Sequence, residues 1–253
     1  MPKSLIHWLR DACSRYRIEP VAVYRASTGH AWPLVGRDEA SLQDALLKGG
    51  HFLPLPKEPA ALANVLEVSI VDFMLSELRV IDNVTAQRGT ERGYPDIEIS
   101  GDEFGGGYHA VDVKVARRRK GGKSTQSRIT LYTGNTYFRY PQLYWPGTFR
   151  PFQDYETHLD LLVLYTLDED SLSRAQNVEL LVQEAWRIAS KQRSSTTREY
   201  IGAVTGIEDL RAGIGEFTTE EGFYAYWRKF GFKIGKAVQQ QLDRLLSAQP
   251  SGT

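Results

Sequence analysis

Tyr94-Pro95-Asp96-Ile97-Glu98-Ile99 and, after a glycine-rich stretch, Ala110-Val111-Asp112-Val113-Lys114-Val115 are the two segments that decide how this chain reads. In a strand, residues i and i+2 point to the same side. Asp112 and Lys114 therefore share one face, while Val111, Val113 and Val115 share the other and can enter a core. Gly101, Gly105, Gly106 and Gly107 supply a turn between the segments. If the strands are adjacent and in register, Asp96 comes beside Asp112. Two carboxylates then hold a hard divalent cation through oxygen, with the Lys114 ammonium within reach. The plainer reading of Asp-x-Lys is the wet face of a sheet. The upstream Pro-Asp, the glycine turn and the aliphatic opposite face weigh against it.

The chain has 253 residues, 42% of them hydrophobic and 11% aromatic, enough for a sizeable core in one large domain or a main domain with a subdomain. With 31 basic and 31 acidic residues the net charge is zero, so any nucleic-acid footprint must be local. The single cysteine, Cys13, leaves no disulfide framework and no cysteine-rich zinc site, and burial is its expected role. The longest apolar run, near Leu161 to Tyr165, is strand-sized, far short of a membrane span. The N-terminus lacks a signal-peptide apolar region, so the expected setting is soluble, reducing and cytoplasmic.

Ser4 is placed to cap a helix carrying Leu5, Trp8, Leu9 and Ala12 on one side. Residues 41–48 read as a short helix, and Pro54, Pro56 and Pro59 follow. Pro59 fits the first turn of a helix running to about Leu78. Leu62, Leu66, Ile70 and Phe73 form one apolar stripe of it, and Val71, Met74 and Leu78 form a second. Glu67 lies on that second stripe. It is read two ways: a boundary glutamate bending to water, or a third acid aimed at the metal site. Gln87 to Gly93 reads as a polar loop, and Ser127 to Thr133 as a strand. Residues 134–153 read as a long ordered loop, and Leu159 to Leu167 as a buried strand apart from Asp160. Residues 178–190 are ambiguous between strand and helix. Thr218 with Glu221 makes a capping box for a helix bearing Phe223, Tyr226, Trp227 and Phe230. A last helix carries Ile234, Val238, Leu242 and Leu245, and the tail from Pro250 is expected to fray. His109 is read as strand surface.

Positive charge gathers in two places. Lys114, Arg117, Arg118, Arg119, Lys120, Lys123 and Arg128 follow one another with no acid between them, starting at the acid pair. A solvated basic loop is the ordinary reading. Beside metal-binding carboxylates the same run is suited to gripping a phosphodiester backbone. The second cluster is Arg187, Lys191, Arg193 and Arg198. Its neighbours Gln192, Ser194, Ser195, Thr196 and Thr197 offer the hydroxyl and amide groups that meet base edges in a groove.

These residues resemble the type II restriction endonucleases with the Pro-Asp…Asp/Glu-x-Lys nuclease core, and among them the EcoRV-like members. The two catalytic strands match in motif and in spacing, and Glu67 falls on the helical glutamate of that pattern. Ile129-Thr130-Leu131 and the Tyr140-to-Tyr165 region are similar, and Ser195-Thr196-Thr197 parallels a recognition loop. Phe223-Tyr224-Ala225-Tyr226-Trp227-Arg228 matches a C-terminal helix segment. The likeness covers roughly residues 60–230, strong at the catalytic core and patchy elsewhere.

The resemblance implies an α/β (α+β) fold with a restriction-endonuclease-like mixed central sheet flanked by helices. It implies a single nuclease domain over 1–253. Its parts would be an N-terminal helical, dimerising part to about 58, a catalytic core at about 59–167, and a DNA-recognition and C-terminal part at about 168–253. It further implies a homodimer clamping double-stranded DNA, Mg2+-dependent hydrolysis at a short palindrome with blunt ends, and a cognate DNA methyltransferase in the cell. Asp96 and Asp112 become metal ligands, with the Val113 carbonyl as an extra one, and Glu67 helps at a second metal position. Lys114 orients or deprotonates the attacking water. Gln87, Arg88 and Arg92 take the place of the minor-groove loop, and Gln192 to Arg198 that of the major-groove loop. Arg117, Arg118, Arg119 and Lys123 grip the backbone.

Arg193 and Arg198 depart from the glycine- and asparagine-rich character of that recognition loop. Arginine bidentate to guanine is the commonest specific base contact, so the expected target contains G·C pairs. Three other readings remain at this point: another nuclease on the same core (of repair, resolvase or transposon type), a DNA-binding protein without catalysis, and a plain α/β domain with structural acids.

Overall fold

Alternation of side chains along Ile97–Ile99, Val111–Val115 and Leu159–Leu164 builds a sheet that is apolar on both faces. The computed structural model describes residues 3–17, 38, 40, 59–90, 93–132, 138–170, 174–195, 199–232 and 234–248. The short helix read at 41–48, Pro54, Pro56 and the tail at 250–253 lie outside the described residues. The central sheet has five strands: β1 (Val84–Arg88), β2 (Ile97–Gly101), β3 (Tyr108–Arg117), β5 (Thr157–Leu167) and β6 (Ala175–Glu184), in the order β1-β2-β3-β5-β6. The β3–β5 pair is parallel and the other three are antiparallel, so the sheet is mixed. A parallel neighbour needs a long crossover. The chain between β3 and β5 supplies it, holding the short strand β4 (Thr130–Tyr132) and the aromatic-rich loop over 138–156.

Among the described residues, two helices cover one face of the sheet. They are α1 (Leu5–Arg15) and α2 (Pro59–Arg79). Leu9, Ile70 and Met74 pack there against Ile97, Ile99, Val111, Val113, Leu161 and Val163. Arg10 on α1 also donates to the Val182 carbonyl of β6 at 3.0 and 3.1 Å, tying α1 to that edge of the sheet. Ser4 stands at the N-cap of α1, but its side chain makes no capping bond. Cys13 is buried, as expected, and burial pushes its thiol up to about 12.

The opposite face carries a second layer. A three-stranded sheet, β4-β8-β7, is formed with β7 (Ala189–Arg193) and β8 (Ile201–Ala203). The helices α3 (Ile207–Ala212), α4 (Glu220–Lys229) and α5 (Lys236–Ala248) follow. Ala110, Leu162 and Leu164 of the central sheet meet Phe138, Phe152, Phe223 and Trp227 of this layer. Both faces of the sheet are thus covered, which is why β5 reads as an almost unbroken apolar run.

Several expectations are corrected. Gln87 and Arg88 are not loop residues: they end the edge strand β1, opposite Glu98 and Ile97. An edge strand needs few apolar residues, so its sequence resembles a loop. Of the described residues 127–132 only Thr130–Tyr132 are strand, and they belong to the second sheet. The last of them, Tyr132, is buried among aromatic rings. The 178–190 segment is strand to Glu184, then a short 3-10 turn over Ala185–Ile188, then β7. Gln192 and Arg193 close β7 rather than lying in a loop. The cap of α4 is Thr219, whose hydroxyl accepts the Gly222 N–H at 3.0 Å, one residue beyond the expected Thr218. His109 is buried rather than on the strand surface, and its Nδ1 lies 2.9 Å from Thr157 Oγ1.

Candidate active site

The β2–β3 pairing sets Ile97 opposite Val111 and Glu98 opposite Ala110. One step further in the same register, Asp96 falls opposite Asp112. The turn between the strands uses Gly101, at φ +145° and with Asn83 O only 2.2 Å from where a Cβ would stand. Gly89, just past β1, gives its N–H to the Asp96 carbonyl at 2.7 Å, and a Cβ there would lie 2.0 Å from Pro95 O. The approach of two backbones therefore fixes Asp96. Its Oδ2 accepts the Val113 N–H at 2.6 Å, and its carboxyl lies within hydrogen-bonding distance of Asp112. Lys114 forms an ion pair with Asp112 Oδ2. These three side chains line a cleft of ≈ 420 Å³ together with Glu67, Arg128 and Tyr132.

The floor of this cleft is not a wet sheet face. Asp112 is 6% exposed, and Asp160, its register partner on β5, is 1% exposed. Burial raises the Asp96 carboxyl well above the ordinary carboxylate range, and the neighbouring negative charge of Asp112 adds to it. Burial also opposes the charge on Lys114. Asp112, Asp96 and Asp160 together outweigh that and hold the ammonium above its ordinary value. Glu67 is raised by burial, with Lys114 drawing it down and Asp112 pushing it up, so it faces the site rather than bulk water. Two carboxyls held this close repel unless a cation or proton lies between them. Hard oxygens around a point of concentrated negative charge fit a hard divalent cation. Among the described residues no three Asp, Glu, His or Cys side chains cluster tightly enough to hold an ion. The acids that face each other in the cleft are Asp96 and Asp112, and Glu67 also lines it. Val113 contributes its N–H here, to Asp96.

The expected DNA contacts divide. Arg119, Lys120 and Lys123 are exposed, as are Gln87 and Arg193. Arg88 is turned to helix α2 and paired with Asp72, away from the cleft. Arg118 is a structural residue: its side chain is 8% exposed and bonds Glu179, the Leu164 carbonyl and the Asn177 carbonyl. A sequence run of like charges conceals this, because the acid that answers Arg118 is 61 residues away. Gln192 is held by Arg128 at 2.8 Å, and Ser194 Oγ lies 2.7 Å from Thr130 Oγ1. Ser195 continues from Ser194 at the tip of the β7–β8 connection. Arg92, Thr196, Thr197 and Arg198 lie outside the described residues.

Three features escaped the sequence reading. Asp160 was noted only as an exception in an apolar run. The cost of burying a lone acid was the signal that pointed to it. Glu98, on the same face as Asp96, is buried and held by Arg150 at 2.7 and 2.8 Å and by Tyr155 at 3.0 Å. Tyr94 lines the same cleft, its hydroxyl 2.6 Å from His158 Nδ1, and His158 stacks on Phe152 with ring centres 3.9 Å apart.

A mixed five-stranded sheet between helices and a second layer, with a cleft opening over its middle strands, defines the restriction-endonuclease-like class. The model of the family described as "Restriction endonuclease EcoRV" matches residues 29–247, most of the chain, and the protein belongs to that family. No curated protein matches it. It is accordingly a nuclease acting on double-stranded DNA, of a family whose members generally use divalent metal ions. None of its described helices is long and apolar enough to cross a membrane.

Proposed function

We propose that this chain is a sequence-specific type II endonuclease that hydrolyses phosphodiester bonds in a short palindromic duplex site, with Mg2+, leaving blunt ends. The observation that carries this reading is the meeting of Asp96, Asp112 and Lys114 on the floor of one open cleft. Mg2+ is bound typically through one or two carboxylates, with waters and substrate phosphate completing its shell, and a pair of aspartates offers that number. Asp96 and Asp112 would hold the ion, with the Val113 carbonyl beside them and Glu67 at a second position. When bound, it would polarise the phosphate and lower the pKa of a water. Lys114 places a positive charge where negative charge develops during in-line attack, and orients or deprotonates the attacking water. Exposed Arg119 and Lys123, with Arg117, hold the backbone.

Two copies of the chain, related by a two-fold axis, would cut one strand each, as palindromic recognition requires. The N-terminal part to about residue 58 would serve dimerisation, and the part from about 168 would serve recognition. Arg193, exposed at the end of β7, favours guanine, so the site contains G·C pairs. Gln87 and Arg92 would meet the minor groove, and Ser194 to Arg198 the major groove. A cognate methyltransferase would protect the host's copies of the site.

Digestion of a plasmid of known sequence with Mg2+, followed by sequencing of the ends, tests all of this. One palindrome with flush ends is expected. Cutting confined to nicks, junctions or mismatches would replace this reading with a structure-dependent nuclease. Salt-sensitive binding without Mg2+-dependent cutting would replace it with a DNA-binding protein. Selection from random duplexes that returned an all-A·T centre flanked by a single G·C pair on each side would overturn the assignment made to Arg193.

A further inference from the structure

Among the described residues, Asp160 has a carboxyl oxygen, Oδ2, that is buried and has no hydrogen-bond partner. The residue is 1% exposed and interrupts the apolar run Leu159–Leu164 of β5. Buried polar atoms are nearly always answered, so an unanswered carboxyl oxygen calls for an explanation in function. Its position gives one. Asp160 is the register partner of Asp112 across the parallel β3–β5 pair. Its side chain therefore shares the sheet face that carries Asp112 and Lys114. Burial raises its carboxyl well above the ordinary carboxylate range, and the positive charge that draws it back down is that of Lys114.

Lys114 is engaged elsewhere in this structure, on Asp112 Oδ2. That oxygen is one of those Asp112 would turn to a cation, and an ammonium cannot share it without repulsion. Something must receive Lys114 when it leaves. Three acids do not cluster among the described residues, which argues against Asp160 as a ligand in its own right.

We propose that Asp160 is the second seat of Lys114. When Asp96 and Asp112 turn their oxygens to a divalent cation, the ammonium moves from Asp112 to the buried carboxylate on the next strand, which holds it in the cleft. Asp160 is then a positioning residue that acts through Lys114. This rests on the cation reading made under Proposed function.

The test is a double-mutant cycle read by terbium luminescence, since Tb3+ takes hard oxygen ligands and Tyr94 and Tyr132 line the same cleft as candidate sensitisers. The full chain, Asp160→Asn, Lys114→Met and the double variant are titrated with Tb3+, and thermal unfolding checks that each is folded. Asp160→Asn is expected to weaken Tb3+ binding about tenfold, because Lys114 then stays on Asp112 and competes. With Lys114→Met already in place, the same change is expected to alter affinity by less than about twofold. Equal weakening in both backgrounds would make Asp160 a direct ligand and overturn the proposal. Unchanged affinity in a folded Asp160→Asn chain would make it merely structural and overturn it as well. No Tb3+ uptake by the unaltered chain, or uptake indifferent to Asp112→Asn, would overturn the cation reading itself and this proposal with it.

Discussion

Asp96 and Glu98 stand two residues apart, on the same face and within the same hairpin, and meet opposite environments. Glu98 accepts from two nitrogens of Arg150, Nε and Nη2, and from the Tyr155 hydroxyl, and Arg150 lies over the Tyr108 ring at 3.2 Å. Its charge is fully answered by the protein. Asp96 receives one backbone N–H and faces another acid. The difference teaches how to tell a structural acid from one kept for a ligand. Burial is common to both regions. What separates them is whether the chain supplies the counter-charge.

The largest expected effect falls on the cleft side, at the acid that Asp96 faces. Asp112→Ala should lower the proposed Mg2+-dependent cleavage by about a thousandfold or more, with DNA binding in a shift assay largely kept, because the exposed cations Arg119, Lys123 and Arg193 remain. Robust cutting by purified Asp112→Ala protein would show that the Asp96–Asp112 pair is not kept for a ligand, and the contrast with Glu98 would fall. On the answered side, Arg150→Ala leaves Glu98 buried without its partner. It should cost about 3 kcal/mol of stability in urea unfolding. A loss of cleavage with stability unchanged would show that Arg150 belongs to the site instead.

Acid sharpens the comparison further. His158 lies among Tyr94, Tyr132, Phe152 and Tyr155, and burial there lowers its pKa from 6.5 to about 3. A group neutral in the folded chain and protonated in the unfolded one leaves its full contribution in place above 6.5. That contribution is then lost as pH falls toward 3, by roughly 1.4 kcal/mol per pH unit. Urea unfolding at pH 7, 5 and 4 should show this slope, and His158→Phe should flatten it. An unaltered slope in that variant would assign the acid sensitivity to other groups.

The smallest effect separates paired from exposed cations. Lys123→Ala should weaken DNA binding uniformly across sequences and reduce the salt slope by about one, as the loss of a phosphate contact does. Arg118→Ala should leave the salt slope alone and lower stability, because its guanidinium bonds Glu179 and two carbonyls inside the protein. A reversal of these two outcomes would return Arg118 to the DNA surface.

Much of the fold was legible because its signals are local. The stripes of α2, the aliphatic face of β3 and the apolar run of β5 follow from side-chain periodicity alone, and all three lie where the pattern placed them. The edge strand β1 was not legible, since edge residues carry no core pattern. The capping residue shifted by one from Thr218 to Thr219 because both are threonines and the choice depends on backbone geometry at Thr219.

The sequence by itself determined which residues could do chemistry: Asp96, Asp112 and Lys114 are set by motif and spacing, and strand geometry converts that spacing into proximity. Only the tertiary structure decided which charges are free to do it. Arg118 and Arg88 are taken by Glu179 and Asp72, Glu98 is taken by Arg150, and Asp160 is brought beside Asp112 from 48 positions along the chain. The physical reason is that a charge's role depends on the partner it meets after folding. Such partners come from distant strands and helices, and their placement is settled by packing.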